Sequence, residues 1–123
     1  RHGQDNPVVI LEASWIEIVS AITKGGLGAV NVVNHEGQLL GIITDGDLRR
    51  SIAKIEPIDL KNLQAAAIMA ENPVTVQPQQ LAYDALQLME NRSSQISVLP
   101  VVDEEDYCVG LLRLHDIARS GIL

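Results

Sequence analysis

GIITDGDLRRSI, Gly41 to Ile52, is answered later in the chain by GLLRLHDIARSGI, Gly110 to Ile122. Each opens on a Gly and an apolar pair. At a constant spacing of 69 residues, Asp47 falls over Asp116, Arg50 over Arg119 and Ser51 over Ser120. The same spacing lays AVNVVNHEGQLLG (Ala29–Gly41) over VLPVVDEEDYCVG (Val98–Gly110). Asn6-Pro7-Val8 resembles Asn72-Pro73-Val74 at a spacing of 66, so three residues are absorbed between these blocks, most simply around the first helix and its following loop. The chain therefore carries an internal repeat, and each copy is one supersecondary unit that needs a neighbour to cover its apolar face.

Both copies follow one order. A short β-branched run comes first, Val8–Leu11 or Val74–Gln77. A helix follows. In the first copy Ser14-Trp15-Ile16-Glu17 has capping-box spacing, Ile18, Val19 and Ile22 recur at helical intervals, and Gly25-Gly26 stops the helix. In the second, Leu81, Ala85, Leu86 and Met89 carry the helical pattern. Two strands joined by a polar turn come next: Ala29–Val33 and Leu39–Ile43, then Val98–Val102 and Tyr107–Leu112. A last helix is expected from about Asp47 and from about Asp116. The fold class is α+β, two β-α-β-β-α lobes packed sheet to sheet about a pseudo-two-fold axis. The lobes are residues 1–56 and 72–123, and 57–71 is a linker helix on the strength of LKNLQAAAIM.

Composition bounds the function. With 123 residues and 46% hydrophobic content, the chain suits one compact domain or two half-size lobes sharing a core. Phe is absent, so Val, Ile, Leu and Ala must build that core. A net charge of −7 and an aromatic content of 2% argue against a nucleic-acid-binding face, which needs a basic stripe and stacking rings. The longest apolar stretch, Ala65–Ala70, is too short to span a bilayer. One cysteine, Cys108, allows no internal disulfide and suits a reducing compartment. No secretory segment opens the chain, and it starts at Arg1 rather than Met, as a piece of a longer protein would. Cytoplasmic localisation is expected.

The repeated stretch has the chemistry of a ligand site. Gly41 permits close backbone approach, and Ile42 and Ile43 point to opposite sheet faces. Thr44 offers a hydroxyl at the strand end. Asp47 can accept two hydrogen bonds, the number a ribose diol donates. A phosphate would prefer Thr44, free backbone N–H groups and Arg49 or Arg50. The competing roles are plain: Asp47 as a helix cap, Thr44 as a strand-end hydroxyl, one of the arginines on a solvated face. In the second copy Arg113 replaces Thr44 and His115 replaces Gly46, so the two clefts cannot be chemically equal.

Gly-apolar-x-Thr-x-x-Asp after β-α-β-β resembles the cystathionine-β-synthase (CBS) domain motif, and a tandem pair of such domains is a Bateman module, a regulatory sensor. The resemblance covers nearly the whole chain. More narrowly, GGLGAVNVVNHEGQLLGIITDGDLRR followed by IMAENPVTV, LPVVD and GLLRLHDIARSGIL is similar to the C-terminal half of arabinose-5-phosphate isomerases. That resemblance implies an N-terminal sugar-isomerase domain, absent here, that holds the catalytic residues and feeds lipopolysaccharide synthesis. It implies a ligand-sensing role for this chain, with Thr44, Asp47, Arg49, Arg50, Arg113, His115 and Asp116 as site residues. The ligand implied is an adenine nucleotide or a sugar nucleotide such as CMP-Kdo; no cofactor or metal is required, and a homodimer through the CBS pairs is expected. TDGD-x-RR also occurs in CBS pairs attached to sugar nucleotidyltransferases, but Leu114-His115-Asp116 favours the isomerases. Arg113 departs from the general Ser or Thr at its position, and would either grip a phosphate or close its cleft.

Other signals point to structure. His2, His35 and His115 are scattered, without ligand spacing for a metal. Asp103–Asp106 is expected as a solvated turn, and Gly25-Gly26-Leu27-Gly28 follows a helix rather than a strand, the wrong context for a phosphate loop. Cys108 is expected as a buried thiol. An acid–base cluster of Asp45, Asp47, His115 and Asp116, and a dimerisation module with no ligand, are the alternatives to a sensor.

Overall fold

The structure is a computed structural model and describes residues 6–79, 87 and 98–113. Its two hairpins repeat each other in register. β2 (Ala29–Val33) and β3 (Leu39–Thr44) pair antiparallel, as do β5 (Val98–Val102) and β6 (Cys108–Arg113). Ala29 lies opposite Thr44 and Val98 opposite Arg113; an irregularity falls at Val32/Val33 and again at Val101/Val102. Each position is the other's at the 69-residue spacing read from the sequence.

The turns are duplicated too. Asn34 Oδ1 accepts from the N–H groups of Glu36 and Gln38, each at 2.9 Å. Asp103 Oδ1 accepts from those of Glu105 and Tyr107, at 2.9 and 3.0 Å. These Asx turns end on Gly37 (φ 95°) and Asp106 (φ 69°), one residue free of a Cβ and one that tolerates the left-handed region. The acidic run is thus a hairpin turn closed by its first carboxylate.

The hairpins then join each other. Leu39 N–H donates to Asp106 O at 2.9 Å and Cys108 N–H to Gly37 O at 3.0 Å. These bonds exchange under the repeat, and Gln38 and Tyr107, equivalent residues, form an antiparallel bridge between them. A local two-fold axis passes through that bridge. The α+β architecture of two lobes packed sheet to sheet follows.

In the first lobe β1 (Val8–Ile10) pairs parallel to β2, and α1 (Trp15–Gly25) makes the crossover. α1 starts as its sequence predicts: Ser14 Oγ accepts from Glu17 N–H at 3.2 Å, and Glu17 Oε1 accepts from Ser14 N–H at 2.8 Å. It stops at Gly26 in the left-handed conformation. The sheet order is β1-β2-β3-β4, where β4 is Ala70–Glu71. Its two faces feed two cores. Val30, Val32 and Ile43 meet Ile18, Ile22 and Leu48 beneath the helices. Ile42 and Ala29 meet Leu27, Val98 and Leu111 between the lobes. Burying one such aliphatic side chain contributes about 1.5–3 kcal/mol, so neither copy is complete alone.

Two expected elements are shorter than the sequence pattern. Residues 57–71 do not form one helix. Pro57–Asn62 is a 3₁₀ helix, α3 (Ala65–Ile68) is a single turn, and the chain then extends into β4. Ala65 and Ala66 donate their N–H groups to Ala13 O and Leu11 O, at 2.9 and 3.0 Å. Tertiary bonds and the burial of Leu63, Ala65 and Ile68 override the helical propensity of the alanines. The Val74–Gln77 strand reduces to a parallel bridge of Val76 with Val101. Val76 donates to Pro100 O at 3.1 Å and accepts from Val102 N–H at 2.9 Å. The next ladder bonds on either side need N–H groups from Pro100 and Pro78, which have none. The helix read at Leu81–Met89 and the last helix from Asp116 lie outside the described residues, Gln87 excepted.

Candidate functional site

The end of β3 runs straight into α2 (Asp45–Lys54), and the expected start at Asp47 is corrected by two residues. Thr44 is the N-cap. Its Oγ1 accepts from Asp47 N–H at 3.2 Å, and Asp47 Oδ2 accepts from Thr44 N–H at 3.0 Å. Asp47 is the third helical residue of a reciprocal capping box rather than a cap itself. The signal was in the sequence: Thr44-x-x-Asp47 has the spacing of Ser14-x-x-Glu17.

Asp47 is engaged on both oxygens. Oδ1 accepts from Arg50 Nη2 at 2.7 Å, one helical turn on. The Asp47 side chain is 22% exposed and that of Arg50 66%, so solvent screens the pair. Each carboxylate oxygen keeps a second lone pair for a hydroxyl or ammonium donor. The structure thus gathers a hydroxyl, a carboxylate and a guanidinium: Thr44, Asp47 and Arg50. Arg49 does not join them and stands exposed on α2. Gly41 serves packing: a Cβ there would lie 2.7 Å from Ala70 O, so the absent side chain admits β4.

Arg113 ends β6 as Thr44 ends β3, but it turns to the other lobe. Its Nη1 donates to Gly26 O at 3.2 Å, at the C-terminal end of α1. The Gly26-Leu27-Gly28 loop is also held by the first motif, through Asp45 N–H to Gly28 O at 3.0 Å. Leu27 between them is buried in the interlobe core. One loop therefore touches both copies of the repeated stretch. His115 and Asp116 lie outside the described residues, and with them the proposed acid–base cluster.

A polar junction escaped the sequence reading. Asn31 is wholly buried in an otherwise apolar strand. Its Nδ2 donates across the lobes to Gly110 O at 3.0 Å and to Cys108 Sγ at 3.1 Å, while Oδ1 is buried with no hydrogen-bond partner. A lone Asn inside AVNVV was the available signal, since such a residue must find partners inside. Cys108, expected to be buried, is half-buried. Burial pushes its thiol above the ordinary 9.0, against the lowering pull of hydrogen bonds from Asn31 and with Gly110.

An open hollow of about 450 Å³ lies beside the second turn, lined by Pro78, Gln79, Asp103, Glu104 and Glu105. Its acidic rim disfavours anions. No group of His, Cys, Asp and Glu among the described residues is placed to hold a metal ion. No described helix is long and apolar enough to cross a membrane.

The CBS domain family matches residues 4–54 and 65–122, once per copy. The arabinose 5-phosphate isomerase KdsD of Pseudomonas aeruginosa is 37% identical over 121 residues, 98% of this chain and 36% of that protein. GutQ of Salmonella typhimurium, also an arabinose 5-phosphate isomerase, is 33% identical over 100% of this chain and 37% of its own length. The chain thus spans a little over a third of the curated relatives it matches. Among solved structures, the CBS domain pair of protein MJ0100, in complex with 5′-methylthioadenosine and S-adenosyl-L-methionine, superposes with a TM-score of 0.77 at 26% identity, covering 94% of this chain and 87% of that one. CBSX2 in complex with AMP gives 0.76 at 19% identity, covering 98% and 94%. Two matched copies, a two-fold hairpin junction and these relatives agree: the chain belongs to the CBS domain family, as a tandem pair similar to the CBS part of arabinose 5-phosphate isomerases.

Proposed function

We propose that this CBS pair is the ligand-sensing part of a sugar-phosphate isomerase, with catalysis residing in a separate domain of the parent protein. The ligand is a nucleotide or sugar nucleotide, adenine-based or CMP-Kdo, taken up between the lobes. The observation that carries this is the convergence of Thr44, Asp47 and Arg50 at the end of β3. A carboxylate with spare acceptor capacity suits a ribose diol, and a guanidinium beside it suits a phosphate. The adenosine derivatives held by MJ0100 and the AMP held by CBSX2 support an adenine-based ligand. Lobes at 1–56 and 72–123 about a 57–71 linker, a homodimer and a cytoplasmic setting complete the proposal.

The test is thermal unfolding with AMP, ATP, S-adenosyl-L-methionine and CMP-Kdo. At 100 times Kd, a bound ligand adds about 2.7 kcal/mol and raises Tm by several degrees. Asp47→Ala is expected to remove most of that shift, and the chain alone is expected to turn over no arabinose 5-phosphate. Turnover by the chain would overturn the separation of sensing from catalysis. A second reading, a dimerisation module without ligand, is favoured by the internal use of both Asp47 oxygens; a panel without any shift would favour it further.

A further inference from the structure

We propose that Asn31 and Cys108 form a pairing code: they make a first lobe face a second lobe rather than another first lobe, and so keep each tandem pair from exchanging lobes with a second copy of the chain. The proposal uses no ligand and stands whether or not the nucleotide reading does. Much of the junction between the hairpins is blind to lobe identity. Leu39 N–H meets Asp106 O and Cys108 N–H meets Gly37 O. Leu39 is equivalent to Cys108, and Gly37 to Asp106, at the 69-residue spacing. Two first lobes set about the same axis would make the same backbone bonds. The apolar residues between the lobes match as well, Ala29 with Val98 and Ile42 with Leu111, and hydrophobic contact is non-directional.

Asn31 and Cys108 are not blind. Asn31, wholly buried in β2, donates from Nδ2 to Cys108 Sγ at 3.1 Å and to Gly110 O at 3.0 Å. Cys108 Sγ in turn donates to Asn6 Oδ1 at 3.5 Å, so two polar side chains of the first lobe meet one of the second. The residue equivalent to Asn31 is Pro100, also fully buried, and the residue equivalent to Cys108 is Leu39. One half of the seam is thus polar against polar, and the other half carries an apolar pair. A first lobe facing a first lobe would set each Asn31 against a leucine, and a second facing a second would set each Cys108 against a proline. Such mismatches bury a polar group beside a side chain without donor or acceptor. Stability alone does not call for Asn31, since its Oδ1 is buried with no hydrogen-bond partner among the described residues. A buried polar side chain satisfied in one pairing and not in another sets partner choice, as a single Asn does in a coiled coil.

Disulfide trapping tests the code in the full chain. Gln38 and Tyr107 form the antiparallel bridge on the axis, flanked by the two backbone bonds, a setting that holds Cα atoms about 4.5 Å apart and within disulfide reach. Gln38→Cys/Tyr107→Cys/Cys108→Ser is expected to close within one chain in a glutathione redox buffer; failure to close overturns the junction on which the proposal stands. Gln38→Cys/Cys108→Ser has one thiol, at the axis of the first lobe, and joins two chains where two first lobes face each other. Serine keeps a polar partner for Asn31, so little covalent dimer is expected. Cys108→Leu in place of Cys108→Ser, and Asn31→Val added to Cys108→Ser, are each expected to raise that dimer about fivefold. Equal yields in all three overturn the code. Loss of cooperative urea unfolding in both mismatched variants shows a residue pair needed to fold rather than to choose partners, and overturns it too.

Discussion

Thr44 and Asp47 hold each other's backbone N–H, so the two residues of greatest functional interest are also structural. Losing an N-cap oxygen costs about 1 kcal/mol. Thr44→Val should therefore lower Tm by several degrees in a thermal melt without ligand, and Thr44→Ser should restore it. Ligand effects must be measured against that lowered baseline. Cys108 makes a second residue-scale prediction. Its folded thiol is held above the ordinary 9.0, chiefly by burial, so the folded state favours the protonated form. Below 9.0 both states are protonated and the site adds no pH dependence. As pH rises through that value toward the raised one, the unfolded chain ionises first and stability falls. Urea unfolding between pH 8 and 11 should show this loss in wild type and less of it in Cys108→Ser.

At the scale of elements, the close approach of β4 to β3 depends on Gly41. A Cβ would meet Ala70 O at 2.7 Å and Met69 Sδ at 2.8 Å; the sulfur can move, but the carbonyl belongs to the paired strand. Gly41→Ala should cost about 1–3 kcal/mol in urea unfolding, as overpacking does. It should also speed amide exchange in β4 more than in β2. The Ala-rich stretch before β4 obeys the same hierarchy. Its alanines favour helix, but Ala65 and Ala66 find their acceptors in the loop ahead of α1, and one turn is all that remains.

For the molecule as a whole, Asn31 is a buried side-chain tie between the lobes. Asn31→Ala would remove the buried bond to Gly110 O, a loss of about 1 kcal/mol before any cavity cost. Because Gly110 belongs to the second lobe and Asn31 to the first, the deficit should appear as weaker coupling between lobes. Chemical shifts in the β5–β6 hairpin are expected to change as much as those in β2. Confinement of the change to β2 would show that the tie carries no interlobe energy.

Duplication was legible in the sequence because it is a relation between residue types at one spacing. That spacing specifies the paired hairpins, their register and their Asx turns, all made by local backbone chemistry. The α1 capping box was legible for the same reason, and the one at Thr44–Asp47 was written in the same code though not read there. What lay beyond the sequence was every choice between partners distant along the chain. Arg50 rather than Arg49 meets Asp47 by i,i+3 helical spacing, a local matter by contrast. Arg113 bonds to Gly26, Asn31 to Gly110, and the alanines of the linker to Leu11 and Ala13. Those bonds depend on how folded parts meet, and propensity has no term for a surface that exists only after folding.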